Sequence, residues 1–432
     1  MSGLILSYAR GFVAGLIAAV VALTGCATGQ QPPPECDTDN GGITVPDGFC
    51  ALVFADELGG TRNLVVAPNG DVFVAARGSR DGPAAGVVAL RDSNGDGRAD
   101  VVERFGDIGG TGINLFEGYL YLAPDDGIIR YPLEEGSLTP SGPGEHIVEG
   151  LPGPGTSHAA KSAAIDQAGN IYVNLGAPSN ACQLESRTAG SAGQDPCPQL
   201  ENRGGTWRFD ARLPGQTQAD GIRFATGLRN TFALAIQPGT GELWGAQHGR
   251  DGLSQLWDQL YTVEAQAEMP AEEFVHIQEG DNFGWPYCYY DPINNVKVLG
   301  PEYGGDGTEV DRCADMKGPA VALPAHWAPN GLTFYTGAQF PARYQGGAFI
   351  AFHGSWNRAP LPQGGYNVVF IEFDGNEPTG EWDVFADGFA GEDKSPRGAA
   401  HRPAGVAVGP DGSLYVSDDR AGRIYRIVYK GE

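Results

Sequence analysis

The sequence predicts an all-β fold, a six-bladed β-propeller with four-stranded antiparallel blades. Three observations lead to this prediction. The chain of 432 residues contains 66 glycines and 31 prolines, which disfavour long helices. Its hydrophobic content of 41% is nevertheless enough to bury a large core. One hairpin-like unit also recurs six times, and a closed ring of such units leaves no exposed sheet edge.

The repeated unit is an apolar strand, a turn rich in Pro, Asp, Asn and Gly, and a second apolar strand. Turn residues of this kind reverse the chain, so each unit is expected to form a hairpin. The spacing between successive units leaves room for two further strands in each blade. The six units span residues 63–78, 112–127, 162–177, 233–249, 330–355 and 405–419.

The first 25 residues predict a lipoprotein signal peptide. Arg10 precedes an apolar run over 11–23, which is too short for a comfortable transmembrane helix. Leu23-Thr24-Gly25-Cys26 then resembles a bacterial lipobox, which implies a lipid anchor on Cys26 and no membrane span. The alternative is an ordinary signal peptide with Cys26 incidental.

From this reading we expect residues 26–44 to be the lipidated cysteine and a flexible tether, and residues 45–432 to be the propeller domain. The exported lipoprotein is expected at the periplasmic face of the outer membrane or at the cell surface.

Six cysteines follow Cys26, and an even number in an exported chain suggests disulfides. Six cysteines allow 15 pairings, so sequence alone does not fix the connectivity. No CxxC pattern or Cys/His spacing typical of zinc is present, which favours disulfides over a metal. Proximity in sequence favours the pairs Cys36 with Cys50, Cys182 with Cys197, and Cys288 with Cys313.

The formal net charge of −25 argues against a nucleic-acid partner, because a field of that sign repels phosphate backbones. An anionic ligand would have to be bound by locally clustered arginines. With only 28 lysines and arginines in the chain, any such cluster is informative.

The repeat also predicts where a ligand would bind. Residues before the first strand of a hairpin and after the second lie at one end, and the turn lies at the other. The turn ends read as plain turn sequences such as PNGD and PDG. One mouth of the propeller therefore collects the unusual His, Arg, Asn and Trp residues, which predicts a pocket for a planar anionic ligand. This set comprises His158, Arg229, Asn230, Gln247, His248, Gly249, Arg250, Asp251, Asn330, His353, Trp356, Asn357, Arg358 and Arg402.

Sequence strings at this mouth resemble ordered motifs of the soluble glucose and sorbosone dehydrogenases that depend on pyrroloquinoline quinone (PQQ). These strings are GLRN at 227–230, QHGRD at 247–251 and GDNFGWP at 280–286. HGSWNR at 353–358 and RPAGV at 402–406 look like the sorbosone and pyranose dehydrogenase branch. The resemblance implies PQQ and Ca²⁺ as cofactors and oxidation of a sugar by hydride transfer to the quinone.

The resemblance also implies roles for individual residues. His158 aligns with the family's catalytic histidine and would take the proton of the sugar hydroxyl, while Arg229 would stabilise a developing oxyanion. Planar guanidinium groups suit the carboxylates of PQQ. Calcium would be bound mainly by backbone carbonyls of Gly249 and Arg250, supported by Asp251. The implied cofactor contacts are Arg229, Asn230, Gln247, His248, Trp356, Asn357, Arg358 and Arg402, and His146, His276 and His326 belong to no such cluster.

Two departures from the family pattern leave the substrate open among sorbosone, other aldoses and alcohols. Thr231-Phe232 stands where glucose dehydrogenases tend to have Pro-Gln, and Asn357-Arg358 stands in place of a lysine that contacts the cofactor. The sequence has no CxxCH haem motif, so electrons would leave to a separate carrier, a cytochrome or a quinone. The alternatives are a calcium-dependent propeller hydrolase such as a lactonase, and a noncatalytic carbohydrate-binding propeller.

A second calcium hypothesis concerns residues 92–103, which have the spacing of an EF-hand loop. β-strands rather than helices are expected on both sides, and the loop falls at the turn between the third and fourth strands of the first blade. It therefore lies on the face away from the mouth. A plain Asp/Gly turn is the alternative. The candidate ligands are Asp92, Asn94, Asp96, Arg98, Asp100 and Glu103.

Overall fold

The computed structural model describes residues 1, 3–4, 34–78 and 82–431. Cys26 and its lipobox, with most of the predicted signal peptide, lie outside the described residues. No helix within the described ranges is long and apolar enough to cross a membrane.

The structure confirms the six-bladed propeller, because six four-stranded antiparallel sheets follow one another along the chain. β1 (Phe49–Ala55) comes first in the chain but belongs to the last blade. Blade 1 contains β2 (Gly60–Val66), β3 (Val72–Arg77), β4 (Gly86–Arg91) and β5 (Val101–Phe105). Blade 2 contains β6 (Gly112–Phe116), β7 (Tyr119–Ala123), β8 (Ile128–Pro132) and β9 (Glu145–Val148). Blade 3 contains β10 (Ala163–Ile165), β11 (Asn170–Leu175), β12 (Gly205–Asp210) and β13 (Ile222–Thr226).

The second half of the ring is built in the same way, with insertions. Blade 4 contains β14 (Ala233–Ile236), β15 (Leu243–Gln247), β16 (Glu272–Ile277) and β19 (Val321–Leu323). The helices α1 (Leu253–Leu256) and α2 (Val263–Glu268) precede β16, and a hairpin of β17 (Cys288–Asp291) and β18 (Val296–Leu299) follows it. Blade 5 contains β20 (Pro329–Phe334), β21 (Ala348–Phe352), β22 (Asn367–Asp374) and β23 (Glu377–Ala386). Blade 6 contains β24 (Pro403–Val408), β25 (Leu414–Asp418) and β26 (Ile424–Tyr429), with β1 as its outer strand.

Each predicted hairpin forms the first two strands of a blade. The first strands of all six blades contact one another around a central channel of about 300 Å³. Residues of these strands line the channel, among them Asn63, Asn114, Leu234 and Thr333. The first strand of each predicted hairpin therefore lies at the channel, and the second strands of the blades end at the mouth.

The ring closes through the pairing of β1 with β26, which joins the two ends of the domain in one blade. Phe54 of β1 is 2% exposed, and its ring packs edge-on against Tyr415 with the ring centroids 5.2 Å apart. Val74 and Val88 of blade 1 belong to the same apolar cluster. β1 therefore supplies core between the last blade and the first.

The three predicted disulfides are confirmed as Cys36–Cys50, Cys182–Cys197 and Cys288–Cys313. The described part of the predicted tether lies against the propeller. Asp37 accepts a hydrogen bond from the amide of Val53 at 2.8 Å, and the amide of Thr44 donates to Asp387 at 2.8 Å. The first disulfide and these bonds attach residues 36–44 to the last blade and its neighbour.

The insertions were not predicted, and they thicken the mouth side of blades 3 and 4. Two buried ion pairs attach the β17–β18 hairpin and the turn after it to blade 4. Arg250 pairs with Glu302 through two bonds, and Lys297 pairs with Glu273 at 2.8 Å. Both pairs are almost fully buried, so each charge depends on its partner.

Replacing Phe54 with alanine should lower the free energy of unfolding by about 3–5 kcal/mol, because a buried aromatic ring leaves a cavity between two blades. Val102→Ala is the matched control, since Val102 of β5 is 49% exposed and should cost less than about 1 kcal/mol. Urea denaturation measures both variants. Equal losses of unfolding free energy in the two variants would show that β1 does not contribute to the apolar core at the closing blade.

Candidate functional site

The ends of neighbouring blades form a hydrogen-bonded ring at the mouth, as the repeat predicts. Arg62 at the start of blade 1 donates to Asp419 at 2.6 Å, and His353 of blade 5 binds the same carboxylate at 2.8 Å. Arg402 of blade 6 donates to the His353 carbonyl at 3.0 Å. Both arginine contacts join the start of one blade to the second-strand end of another, and the His353–Asp419 contact joins two second-strand ends, so cationic side chains collect at this face.

His158 lies in the loop before β10, beside the end of β11. Its Nδ1 is 2.6 Å from the carbonyl oxygen of Ala177. A carbonyl oxygen only accepts, so Nδ1 carries the proton and Nε2 is the unprotonated nitrogen. Gly176 makes this approach possible, because a Cβ there would lie 2.7 Å from both the His158 Cβ and the Asn230 Oδ1.

The environment keeps the His158 imidazole neutral. Burial, and then the charge of Arg229, lower the pKa of His158 to about 3. The ring is therefore in its proton-accepting form throughout the neutral range.

Arg229 lies before β14 and is 4% exposed. Its guanidinium donates to the Gly249 carbonyl at 2.8 Å, to Asn180 Oδ1 at 3.1 Å and to Asp251 at 3.0 Å. The Nε of Arg229 is buried and has no partner among the described residues. One donor of a buried cation thus has no protein acceptor among the described residues.

Asp251 is the common acceptor of this part of the mouth. Besides Arg229, it receives hydrogen bonds from Arg187 at 2.9 Å and from Asn357 at 2.7 Å. Burial alone would raise the pKa of Asp251, but Arg229 and then Arg187 outweigh it and lower that pKa to about 2. Asp251 is therefore ionised and compensates the buried arginine.

Asn230, Gln247 and His248 surround Arg229 and fix the blade ends. Asn230 Oδ1 accepts from Asn174 at 3.0 Å, and Gln247 Oε1 accepts from the amide of Arg229 at 3.0 Å. His248 Nε2 contacts the Pro329 carbonyl at 3.0 Å, which links blade 4 to blade 5. These side chains hold the site together, and their predicted contacts to a cofactor remain predictions.

The three arginines predicted to share one ligand each bind separate protein acceptors. Arg358 donates to the carbonyls of Ala267 and Ala325 and to Glu268, so it caps the end of α2. Arg402 donates to the carbonyls of His353 and Gly354, both at 3.0 Å. Trp356 is 58% exposed and presents its indole to solvent.

Two backbone carbonyls of the predicted calcium loop at 249–251 already accept hydrogen bonds. The Gly249 carbonyl accepts from Arg229, the Asp251 carbonyl accepts from Asn180 at 2.8 Å, and the Arg250 side chain pairs with Glu302. Within the described ranges, no group of three or more His, Cys, Asp or Glu side chains is arranged to hold a metal ion. Calcium at this loop stays a prediction.

The acidic loop lies where it was predicted, between β4 and β5. Asp92 accepts from the backbone amides of Gly95 and Gly97, both at 2.7 Å. Asn94 and Asp96 accept from amides within the turn, Asp100 binds Ser93, and Arg98 donates to the Val53 carbonyl at 2.7 Å. Glu103 is exposed on β5. The loop oxygens therefore stabilise an Asp/Gly turn, and ion binding there stays a prediction.

Sequence reasoning missed several buried residues of the mouth. Lys161 is fully buried and donates to the Ala159 carbonyl at 2.5 Å, and burial followed by the charge of Arg203 lowers its pKa to about 7. His326, which was assigned to no cluster, contacts Asn357 at 3.2 Å beside Asp251, so that assignment was wrong. Arg203 lies just before β12, where a third strand begins at the mouth. Extending the hairpin rule to third strands would have found it.

Comparisons with known proteins agree with the observed propeller fold. The family model described as TrAA12-like matches residues 43–430. An uncharacterized protein of Borreliella burgdorferi is 31% identical over 209 residues, which cover 48% of each chain. The PQQ-dependent pyranose dehydrogenase of Coprinopsis cinerea is 29% identical over 190 residues, which cover 37% of this chain and 25% of that protein. The matches thus span half or less of these curated relatives.

Two solved structures share the architecture over most of their length. The Trichoderma reesei enzyme of carbohydrate-active family AA12 has a TM-score of 0.73 and 18% identity, covering 92% of this chain and 100% of that one. The holo PQQ domain of pyranose dehydrogenase from Coprinopsis cinerea has a TM-score of 0.71 and 20% identity, covering 92% and 98%. At these identities the likeness establishes the fold.

Replacing Asp251 with alanine should destabilise the protein by about 3–5 kcal/mol, because it leaves the buried Arg229 cation without its carboxylate. Glu117→Ala is the control, since it removes a carboxylate from the exposed pair with Arg212 and should change stability little. Chemical denaturation at pH 7 measures both variants. Similar losses in the two would contradict the role of Asp251.

The imidazole of His158 should remain neutral at pH 5 in the folded apoprotein, because burial disfavours the charged ring and places its pKa near 3. In the urea-unfolded chain the same ring should titrate near about 6.5. Nitrogen-15 NMR of histidine-labelled protein measures this, with His158→Ala assigning the signal. A folded-state midpoint near that of the unfolded chain would contradict the burial argument.

Proposed function

Because this chain belongs to the TrAA12-like family, we propose that it is a PQQ-dependent dehydrogenase that oxidises a sugar. The curated relative from Coprinopsis cinerea supports both the cofactor and the substrate class, since it is a PQQ-dependent pyranose dehydrogenase. An aldose, sorbosone or a related alcohol is the proposed substrate.

One observation carries the proposal. A partly buried, neutral histidine, with Nδ1 fixed to a carbonyl and Nε2 unprotonated, feels the charge of the buried Arg229 at the mouth of an acidic propeller. A proton acceptor beside a fixed positive charge is the arrangement that oxidation of a hydroxyl group requires. Neither a structural loop histidine nor a surface ion pair needs this combination.

The mouth has donors that fit PQQ. PQQ is flat and carries three carboxylates, and guanidinium groups bind carboxylates well. The Nε atoms of Arg229 and Arg62 are buried and have no acceptor among the described residues. Arg402 adds positive charge at the same face, and the exposed Trp356 offers an aromatic surface. Arg358 fits less well, because it would have to release its own acceptors first.

When bound, PQQ would supply the acceptor for a hydride leaving the sugar carbon. His158 Nε2 would take the proton of the sugar hydroxyl, and the Nδ1–H bond to Ala177 would hold the ring in place and stabilise its cationic form. Arg229 would stabilise negative charge that develops on a nearby oxygen. Asp251 would keep Arg229 charged and oriented.

We derive no step through calcium, because the carbonyls of Gly249 and Asp251 are engaged by Arg229 and Asn180. Binding there would require those donors to move, so we retain calcium only as a component to be tested with PQQ.

We also propose that the protein is exported and anchored through Cys26, and that a separate cytochrome or quinone takes its electrons. The lipobox-like sequence before Cys26 supports the first part. The second is proposed because a quinone that has accepted a hydride must pass its electrons on before the next turnover.

Purified apoprotein, titrated with PQQ in the presence and absence of Ca²⁺, should bind the quinone and then reduce a dye with a panel of aldoses and alcohols. His158→Ala should bind PQQ but lose about 10²–10⁴-fold in kcat, because the general base is removed. His146→Ala is the matched control, since His146 is an exposed histidine of β9 in blade 2.

The outcomes separate the function classes. Absence of quinone uptake, or near wild-type kcat in His158→Ala, would contradict the proposal. Lactone hydrolysis without PQQ would instead identify a hydrolase, and sugar binding without any turnover would identify a noncatalytic propeller.

A further inference from the structure

We propose that Arg203 is a positioning residue that holds His158 in the conformation required for proton transfer. This inference rests on the proposed function, since it assigns a role within the same site. Arg203 lies at the end of the blade 3 insertion, just before β12, and is 4% exposed.

The Arg203 guanidinium spans the His158 loop and the end of β11. Its Nε donates to the Gly176 carbonyl, and its Nη1 donates to Thr156 Oγ1 at 3.2 Å. Its Nη2 donates to the Ser157 carbonyl at 3.1 Å and to the His158 carbonyl at 3.5 Å. All three nitrogens therefore have protein acceptors, and three of the four acceptors belong to the loop.

The loop depends on such an external donor. His158 has a φ of 54°, a left-handed conformation that costs an L-residue roughly 1–2 kcal/mol. No backbone amide within the described ranges donates to the carbonyls of Ser157 or His158. The strained conformation is therefore held by side chains, and Arg203 is the one that binds both carbonyls.

Arg203 and His158 bind successive carbonyls of the same strand end. Arg203 donates to Gly176 O, and His158 Nδ1 donates to Ala177 O at 2.6 Å. The guanidinium thus fixes the loop backbone relative to the group that orients the imidazole. Movement of the loop would break the Nδ1 bond and release the constraint that leaves Nε2 as the base.

The geometry requires an arginine rather than any cation. A lysine ammonium is a point charge, whereas the planar guanidinium reaches acceptors on several sides at once. Lys161 illustrates the contrast, because its ammonium binds one loop carbonyl, that of Ala159, at 2.5 Å. Replacing Arg203 with lysine should therefore keep the positive charge but lose most of the hydrogen bonds that join the His158 loop to the end of β11.

The test compares Arg203→Lys and Arg203→Gln with Arg208→Lys, a control in β12, the strand that follows Arg203, whose guanidinium pairs with the exposed Glu279. Since a displacement of about 1 Å can cost about 10²-fold, both Arg203 variants should lose about 100-fold in kcat. PQQ affinity and KM should change less than about three-fold, because all three guanidinium nitrogens of Arg203 are directed at protein acceptors. Arg208→Lys should match the wild type.

Two further measurements distinguish positioning from a general structural role. In the labelled apoprotein, both Arg203 variants should shift the His158 Nδ1 signal, with near-ultraviolet circular dichroism unchanged. In the His158→Ala background, Arg203→Lys should cause no further loss of kcat, because a residue that acts through His158 has no effect once that ring is gone.

The proposal is overturned if Arg203→Lys keeps kcat within about three-fold with an unchanged His158 signal, or if its loss adds fully to that of His158→Ala. It is also overturned if both Arg203 variants lose the native circular dichroism spectrum. If the wild type shows no quinone-dependent turnover, the proposed function fails. The NMR signal of the apoprotein then still decides whether Arg203 holds His158.

Discussion

The structure depends on ring closure, because a blade buries its two faces only against its neighbours. Closure is made by β1, which adds to β26 and carries Phe54 into the core shared by the last and first blades. Closure also fixes the mouth. Arg62 of the first blade and His353 of the fifth reach the same carboxylate, that of Asp419 in the last. The site is a product of the closed ring rather than of any one blade.

Charge at the mouth follows from the imbalance of the whole chain. With 53 acidic residues against 28 lysines and arginines, a buried arginine readily finds a carboxylate, as Arg229 finds Asp251 and Arg250 finds Glu302. These ion pairs allow the arginines to remain charged while buried, but they occupy some of the guanidinium N–H donors. The donors that remain, such as Nε of Arg229, then define where an anion can bind.

The sequence predicted the parts of the fold that come from local pattern. The six hairpins, the three disulfides and the mouth face follow from turn residues, spacing and strand polarity, and each agrees with the structure. Side-chain partners were harder to predict. Arg358 follows a second strand as required, yet it turns to the end of α2, an element of an insertion with no repeat pattern. Arg203 likewise lies in an insertion without a repeat pattern, just before a third strand.

The closing blade also determines how the protein bears mechanical load. A pull on the chain before Cys36 passes through the disulfide to Cys50, which lies inside β1, and bypasses residues 37–49. The force then acts along β1 and is shared by its antiparallel hydrogen bonds with β26. With the anchor proposed at Cys26, tension would thus load a paired strand in shear, while His158 and Arg229 lie on blades 3 and 4.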